Sequence, residues 1–281
     1  MGLLSGKVVL ITGAGRGIGQ AAALACAQAG ACVVLNDLGC DLEGGQADPS
    51  VVRAAAAAIT AGGGEVLESA LDITNPAAAH ELVQATLARF GRIDGLFAAA
   101  GISRERLLPR LLDDDLERVL AVHLHAPIRL TRAVVRTLQE RNQPGAIVLS
   151  SAQAAFVGSR GQTAYAAAAA GITGFTRAAA LELRRHGIRV NALCALARTR
   201  STEHLPIFEA SREGSLTPEH AAQVALYLLS PLAAEVSGEI VGAAGSRVYT
   251  LRLHETSGAF LDGQPFDAED LSAAWPRVTR G

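Results

Sequence analysis

Short apolar runs alternate with longer helical stretches along most of the chain. The helical stretches fall at 17–30, 50–61, 76–90, 113–140, 162–186 and 217–229. The apolar runs predict strands at 7–12, 32–36, 65–70, 93–99, 145–150, 188–193 and 239–243. Runs such as Val-Val-Leu-Ile-Thr, which are apolar throughout, are typical of strands buried on both faces. The alternation predicts an α/β fold with about seven strands in a doubly wound parallel sheet, covered by helices on both faces.

No shift in composition marks a second domain, so we expect one domain over residues 1–246. Within it, the turn-rich segment 195–216 is predicted to form a lid-like loop over a cleft. Residues 247–281 are predicted to form a C-terminal tail that ends in a short helix. The sequence leaves open whether this tail is a pocket wall or an oligomer contact.

Charge and cysteine content narrow the class of protein. The chain has 281 residues, of which 49% are hydrophobic and 19% charged, with a net charge of −2. This charge gives no reason to expect nucleic acid or an anionic membrane as partner. No basic, cleavable leader is evident, and no apolar stretch approaches the roughly 20 residues that span a bilayer. The four cysteines lack the spacing of metal ligands, so we expect no metal site. We expect them to be reduced thiols in a cytoplasmic protein.

A glycine-rich loop lies between the first predicted strand and the first predicted helix. In this position glycines permit a tight turn, and the helix N-terminus can face a pyrophosphate. The strand before the loop and the helix after it make the signal specific and predict a Rossmann-type dinucleotide site. The residues that we expect to hold the cofactor here are Thr12, Gly13, Gly15, Arg16, Gly17, Ile18 and Gly19.

Two acidic residues at strand ends extend this predicted cofactor site. Asp37 follows the second strand, where a carboxylate bonds ribose hydroxyls and repels a 2′-phosphate. Arg16 would instead favour NADP, since its guanidinium could reach the 2′-phosphate. We therefore expect NAD rather than NADP, if a dinucleotide binds at all. Asp72, after the third strand, is either a contact to the adenine edge or an N-cap-type residue before Pro76.

These motifs resemble the short-chain dehydrogenase/reductase superfamily over residues 5–245. The nearest likeness is to the (3R)-hydroxyacyl-CoA dehydrogenase domain of peroxisomal-type multifunctional enzymes. Besides the glycine loop, this likeness rests on Asn36-Asp37-Leu38-Gly39, Arg104-x-Arg106, His123-Leu124, Gly161-Gln162-Thr163-Ala164-Tyr165 and Arg198-Thr199-Arg200. The resemblance implies NAD(P) chemistry in which a tyrosine is the acid/base, a lysine lowers its pKa and a serine steadies the substrate oxygen.

The chain departs from that family pattern at several catalytic positions. Tyr165 stands at the tyrosine position, but Ala169 stands where the lysine belongs, so we expect the pKa of Tyr165 to remain near its ordinary value. An alignment without gaps places Ala152 at the serine position; a bulge in the strand would bring Ser151 into use instead. His123 is either bonded to the backbone or part of a proton relay. Four further positions lose the family's usual residues: Ala98 and Ala99 stand for two asparagines, and Ala195-Leu196 for Pro-Gly.

Three hypotheses follow from a site reduced to Tyr165, Ser151 and His123. The first is an enzyme repurposed for non-redox chemistry (cyclisation, isomerisation or dehydration) on an acyl-thioester or polyketide-like substrate. The second is a non-catalytic subunit that pairs with an intact paralogue, and the third is a residual NAD-dependent dehydrogenase. Helices 113–140 and 162–186 are expected to form homodimer, tetramer or hetero-oligomer contacts. Candidates for binding carrier phosphates or a substrate carboxylate are Arg104, Arg106, Arg198 and Arg200.

Overall fold

The computed structural model describes residues 2–212, 214–261 and 263–279, and it confirms the predicted α/β fold. The helices are α1 (Gly17–Gln28), α2 (Ser50–Ala61), α3 (Ala78–Phe90), α4 (Asp113–Leu120), α5 (Ala126–Glu140), α6 (Ala154–Val157), α7 (Thr163–Leu183), α8 (Pro206–Ala210), α9 (Pro218–Leu229) and α10 (Ala268–Val278). The strands are β1 (Val8–Thr12), β2 (Cys32–Asn36), β3 (Val66–Ser69), β4 (Gly95–Ala98), β5 (Gly145–Ser151), β6 (Ile188–Leu196), β7 (Ile240–Ala244) and β8 (Arg247–Thr250).

The strands form one sheet in the order β3-β2-β1-β4-β5-β6-β7-β8. The first seven are parallel, and every residue of β1 is buried, as its apolar run predicted. Helices α1, α2 and α9 pack on one face of the sheet, and α3, α5 and α7 pack on the other. The strand order reverses between β1 and β4, and ligands of such sheets bind at this reversal, beyond the carboxyl ends of the strands.

The eighth strand is a difference from the seven that the sequence predicted. β8 runs antiparallel to β7 and begins within the segment predicted as tail. Ala244 pairs with Arg247, so only Gly245 and Ser246 form the turn, and Gly245 has a φ of +58°. A two-residue hairpin of this kind depends on a glycine with positive φ. The sequence analysis missed β8 because the strand begins with exposed residues and contains no apolar run.

The long helix predicted over 113–140 has an irregular centre. Between α4 and α5 the chain makes a π-helical turn at Ala121–His125. Pro127 follows at the start of α5 and has no N–H to bond the carbonyl of His123. Such π-turns occur often at functional sites. This one places His123 beside a cavity at the carboxyl ends of the strands.

The described chain divides into two compact units, Met1–Thr250 and Leu251–Gly281. The predicted lid, 195–216, comprises the end of β6, turns and the short α8. In the second unit, Asp267 and Asp270 form a capping box at the start of α10, and Thr256 Oγ1 donates to the carbonyl of Val278 at 2.6 Å. Five positions of the predicted domain, lid and tail lie outside the described residues: Met1, Glu213, Asp262, Arg280 and Gly281. Within the described residues, none of the helices has the length and apolar character to cross a membrane.

Candidate active site

A cavity of about 650 Å³ lies in the first unit, at the carboxyl ends of the parallel strands. At one end it is lined by the loops that follow β1, β2 and β3; we call this the cradle end (13–19, 36–40 and 71–74). At the other end it is lined by the segments that follow β4, β5 and β6 and by the start of α7; we call this the tyrosine end (99–105, 150–151, 161–169 and 195–203). The size suits a ligand as large as a nucleotide derivative.

Glycine is required at two positions of the loop after β1. Gly13 has a φ of +67°, and a Cβ there would lie 2.6 Å from the Cα of Ala100. A Cβ on Gly19 would lie 2.1 Å from the carbonyl oxygen of Gly13. Helix α1 begins at Gly17, and within the described part of the chain no side chain caps it and no acidic residue stands in its first turn. Its first amides and its positive dipole end therefore face the cavity and favour an anion.

Asp37 is held in place by two backbone amides. Its Oδ2 accepts a hydrogen bond from Gly15 N at 2.8 Å, and its Oδ1 accepts one from Gly39 N at 2.7 Å. Arg16 is exposed, and its guanidinium donates to the carbonyl of Cys40 at 3.2 Å. The structure thus brings Asp37 and Arg16, the two residues with opposite expected preferences for a ribose phosphate, to the same end of the cavity.

Asp72 stabilises a turn and also lines the cavity. Its Oδ1 accepts from the amide of Thr74 at 2.9 Å and from the hydroxyl of Thr74 at 2.7 Å. Helix α3 begins at Ala78, where the side chain of Asn75 accepts from Ala77 N instead. Asp72 is therefore not the residue that caps α3, and its position beside the cradle end keeps the adenine-edge role open.

Tyr165 lies in the first turn of α7, and its ring packs edge-on against His123 with ring centroids 4.9 Å apart. Within residues 2–212, 214–261 and 263–279, its hydroxyl has no hydrogen-bond partner. Burial raises the pKa of Tyr165 to about 12, and Cys194 and Glu105 act in the same direction. Our expectation of a pKa near the ordinary value was wrong, because burial adds to the loss of the lysine.

No lysine is available to replace the one missing at Ala169. Ala169 is buried and lines the cavity one helical turn beyond Tyr165. The sequence contains a single lysine, Lys7, which lies before the first residue of β1, at the end of that strand away from the cavity. Its ammonium pairs with Asp94 at 3.2 Å. The phenol of Tyr165 therefore has no ammonium partner.

Ser151 does not take the place of the missing serine in this structure. Strands β5 and β6 pair residue for residue up to Ser151 and Cys194, without the bulge that would redirect the side chain. The Ser151 hydroxyl donates to the carbonyl of Ala169 at 3.0 Å. Burial raises the pKa of Cys194 to about 11, although a hydrogen bond with Ser151 lowers it. Ser151 thus ties β5 to α7, and its proton is engaged by a backbone carbonyl.

His123 is bonded to the backbone, the first of the two roles that the sequence left open. Its Nε2 lies 3.1 Å from the amide nitrogen and 2.9 Å from the carbonyl oxygen of Ile102, so either tautomer finds a partner. Burial lowers the pKa of His123, although the hydrogen bond to Ile102 raises it. A Cβ on Gly101 would lie 2.7 Å from the ring. His123 is therefore neutral and fixed, and it supports the ring of Tyr165.

Arg104 and Arg106 are engaged by acidic side chains at the rim of the cavity. Arg104 contacts Asp114 at 2.6 Å and Asp115 at 3.0 Å, and it donates to the carbonyl of Glu43 at 2.8 Å. Arg106 lies 3.5 Å from the carboxylate of Glu43 and 3.6 Å from that of Asp115. These contacts join the loop after β2 to α4, so neither guanidinium is a free phosphate-binding group.

The segment after β6 contributes Thr199, which sequence reasoning did not assign to the site, together with Arg198 and Arg200, which it nominated for phosphates or a carboxylate. Thr199 reaches from the tyrosine end to the cradle end, since a Cβ on Gly17 would be 3.3 Å from its methyl group. Arg200 reaches across to the carbonyl of Asp41 at 3.5 Å, whereas Arg198 donates to the carbonyl of Phe208 and stacks on its ring. The pattern of apolar residues does not predict these contacts. The sequence feature that indicates them is the run Arg198-Thr199-Arg200.

Comparison with known proteins gives consistent matches over nearly the whole chain. The family model described as short chain dehydrogenase matches residues 7–205. The hydroxyacyl-CoA dehydrogenase ChsB1 of Mycobacterium tuberculosis is 36% identical over 96% of this chain and 87% of its own length. The peroxisomal multifunctional enzyme type 2 of Mus musculus is 33% identical over 97% of this chain, which corresponds to 36% of that longer protein. A crystal structure of a short chain dehydrogenase from Mycobacterium avium has a TM-score of 0.88 and 31% identity, covering 99% of this chain and 98% of the other.

Proposed function

The chain belongs to the short chain dehydrogenase family, and from this premise we propose that it is an atypical member that acts on acyl thioesters without redox chemistry. Members of this family bind NAD or NADP and act on small acyl substrates. In the proposed reaction, Tyr165 is a neutral hydrogen-bond donor to the thioester carbonyl of an acyl-CoA or polyketide-like substrate.

The surroundings of Tyr165 carry this proposal, since this residue lines the cavity, Ala169 stands one turn further along the helix, and no described side chain bonds its hydroxyl. With a pKa of about 12, only about one molecule in 10⁵ holds a tyrosinate at pH 7, so Tyr165 is a poor base. Its O–H lines the cavity and is available to a ligand. A donor placed at a carbonyl oxygen stabilises the negative charge that develops there when the neighbouring carbon passes its proton to a water molecule in the cavity, which is the acceptor because Tyr165 is a poor base. Isomerisation, dehydration and cyclisation of acyl thioesters all pass through such a charge.

The two ends of the cavity differ in how well they suit the family's dinucleotide. At the cradle end, the close-packed glycine loop, the open N-terminus of α1 and Asp37 suit an adenosine ribose and a pyrophosphate. The carboxylate of Asp37 favours NAD over NADP. At the tyrosine end, Ala99 and Ala169 offer no hydrogen bonds to a nicotinamide ribose. When bound, the cofactor would supply hydride transfer.

The cradle end also supports a second candidate function, a slow reductase. A neutral Tyr165 has the protonation state that donates to the alkoxide formed in ketone reduction, whereas alcohol oxidation would require a tyrosinate. Residual activity should therefore favour reduction. The absence of NADH oxidation across a panel of 3-oxoacyl-CoA thioesters, at high protein concentration, would count against this candidate.

The oligomeric state and location form the remaining part of the proposal. Family members are typically oligomeric. The outward side of α7 carries small exposed residues, namely Ala167, Ala170, Gly174 and Ala178. Such a face allows close helix packing in a homodimer or tetramer, or in a hetero-oligomer with an intact paralogue. The four cysteines are unpaired, as a cytoplasmic location would require.

Tyr165→Phe tests the proposed donor. Purified protein is incubated with a panel of acyl-CoA thioesters without dinucleotide, and the products are followed by mass spectrometry. We expect Tyr165→Phe to lower turnover about 10²-fold or more, because one donor to the reacting oxygen is lost. Unchanged turnover would rule out the donor role. If the wild type has no activity but co-purifies with an intact paralogue, the subunit hypothesis replaces the enzyme.

A further inference from the structure

The segment that follows β4 places Glu105 at the tyrosine end of the cavity. Its carboxylate Oε1 accepts a hydrogen bond from the side-chain amide of Gln162. Gln162 directly precedes α7, and Tyr165 lies in the first turn of that helix. The backbone amide of Arg106 donates to the carbonyl of Gly161 at 2.9 Å. Side chain and backbone therefore both hold Glu105 beside the helical turn that carries Tyr165.

Glu105 has a free acceptor oxygen, unlike the acidic residues at the cradle end. Asp37 is bonded by two backbone amides, and Asp72 by the amide and hydroxyl of Thr74. Within the described residues, Glu105 forms no ion pair, and its Oε2 has no hydrogen-bond donor. Glu105 is also exposed, so water reaches its carboxylate. The tyrosine end thus holds an unengaged proton acceptor as well as the unengaged hydroxyl of Tyr165.

The charge of Glu105 acts on the phenol of Tyr165. Burial is the main cause of the raised pKa of Tyr165, and Cys194 and Glu105 add to it. Glu203 is the other acidic residue that lines the tyrosine end, and it has no such effect on the phenol. A carboxylate that influences the phenol is close enough to serve the same ligand, with the phenol at an oxygen and the carboxylate at a neighbouring carbon.

We propose that Glu105 is the final proton acceptor, acting through one water molecule, and that the reaction is the isomerisation of a 3-enoyl thioester to the 2-enoyl thioester. This inference rests on the proposed function and names its proton acceptor and its substrate class. Water alone is a weak base, whereas a carboxylate one water molecule away from the substrate can take the proton onward.

The reaction needs no oxidant and no leaving group. The C–H bond at carbon 2 of the thioester breaks, the water molecule takes this proton, and the water gives one of its own protons to Glu105. The electron pair of the broken bond spreads over carbons 2 to 4 and the carbonyl oxygen, which accepts a hydrogen bond from Tyr165. Glu105 then returns a proton through the water to carbon 4, which leaves the double bond between carbons 2 and 3. One acceptor and one donor suffice here, whereas dehydration also has to protonate a leaving hydroxide.

Incubation of the purified full chain with trans-3-hexenoyl-CoA in D₂O, without dinucleotide, tests the proposal. We expect trans-2-hexenoyl-CoA that carries solvent deuterium at carbon 4, measured by ultraviolet absorbance and mass spectrometry, because the relay water exchanges with solvent. Glu105→Gln keeps the hydrogen bond from Gln162 and should lower the rate by about 10²-fold or more, since a positioned proton acceptor is lost. Glu68→Gln, the same change at an exposed residue of β3 outside the cavity lining, should keep the wild-type rate.

Added formate distinguishes a proton acceptor from a structural role. Because Glu105 is exposed, Glu105→Ala should fold and leave room for a small carboxylate, and circular dichroism checks the fold. The rate of Glu105→Ala should rise with formate concentration, whereas the wild-type rate should not. Glu203→Gln tests the second carboxylate at this end and should slow the reaction less than Glu105→Gln.

Four results would overturn the inference and leave the donor role of Tyr165 standing. They are a wild-type rate in Glu105→Gln, a slow Glu105→Ala that formate does not restore, a larger loss in Glu203→Gln than in Glu105→Gln, and wild-type turnover of other acyl thioesters but not of trans-3-hexenoyl-CoA. A wild type that turns over no acyl thioester at all would instead refute the proposed function, and this inference with it.

Discussion

Replacing Ala169 by lysine should lower the pKa of Tyr165 by about two units. Residues four apart in a helix share one face, with about 5–6 Å between Cβ atoms. At about 5 Å and an effective dielectric constant of about 20, two unit charges interact by about 3 kcal/mol. Since about 1.4 kcal/mol corresponds to one unit, the pKa should fall from about 12 to about 10.

Ultraviolet absorbance of tyrosinate measures this shift directly. The chain has three tyrosines, so Tyr165→Phe, made in both the wild type and the lysine variant, supplies the background. At pH 10, Tyr165 should be about 1% ionised in the wild type and about half ionised in Ala169→Lys. Ala58→Lys, on the exposed side of α2 and away from the α7 face proposed for oligomer contacts, should behave like the wild type.

Two outcomes would refute the reasoning. If Ala169→Lys is folded by circular dichroism and titrates like the wild type, then position 169 does not face the phenol. If the wild type is already half ionised at pH 10, then burial does not raise the pKa of Tyr165, and the argument for a neutral donor loses its basis.

Three further predictions concern the fold around the site. Gly19→Ala should lower the free energy of unfolding by about 1–3 kcal/mol and weaken ADP binding, because the new Cβ would lie 2.1 Å from a loop carbonyl; urea unfolding and calorimetry measure the two effects. Burial raises the pKa of Asp94, but hydrogen bonds, led by that of Arg92, outweigh it and hold the pKa below the ordinary 3.8. The stability gained from the Asp94 carboxylate is present above pH 3.8 and is lost as the pH falls below it. In urea unfolding, the wild type should therefore lose more stability than Asp94→Asn between about pH 5 and pH 3. Equal losses in the two proteins would contradict this prediction. Ser151→Ala should cost about 1 kcal/mol of stability in the same assay, because the bond to Ala169 is lost, and a loss of turnover as large as that of Tyr165→Phe would show that Ser151 acts in the reaction.

The order of elements was predictable because strands buried on both faces leave continuous apolar runs. β1 and β5 are examples, and their boundaries differ by no more than a residue from the predicted ones. β8 was missed because its register depends on the two-residue turn at Gly245 and Ser246 rather than on an apolar run. The π-turn before α5 was missed for a similar reason, since its cause is the missing N–H of one proline in a pattern that otherwise reads as one helix.

The general position of the site was predictable because parallel strands bring their carboxyl ends to one edge. This rule places Asp37 and Asp72 beside the glycine loop, although they are far apart in the sequence. Side-chain partners do not follow from such a rule. Arg104 bonds a carbonyl 61 positions away, and the hydroxyl of Ser151 donates to a carbonyl of α7 although the residue lines the cavity. The raised pKa of Tyr165 depends on burial by several segments, which no local pattern reports.

The two amides that hold Asp37 couple ligand preference to backbone order. Replacing the Asp37 carboxylate with a neutral or basic side chain is the direct way to make the cavity accept a ribose 2′-phosphate. In this protein the same change would leave the amides of Gly15 and Gly39 without their acceptor. The distance between the loops after β1 and β2 would then no longer be fixed by these two hydrogen bonds. A switch of preference would therefore require compensating changes in both loops, and variants selected for it should carry substitutions in pairs.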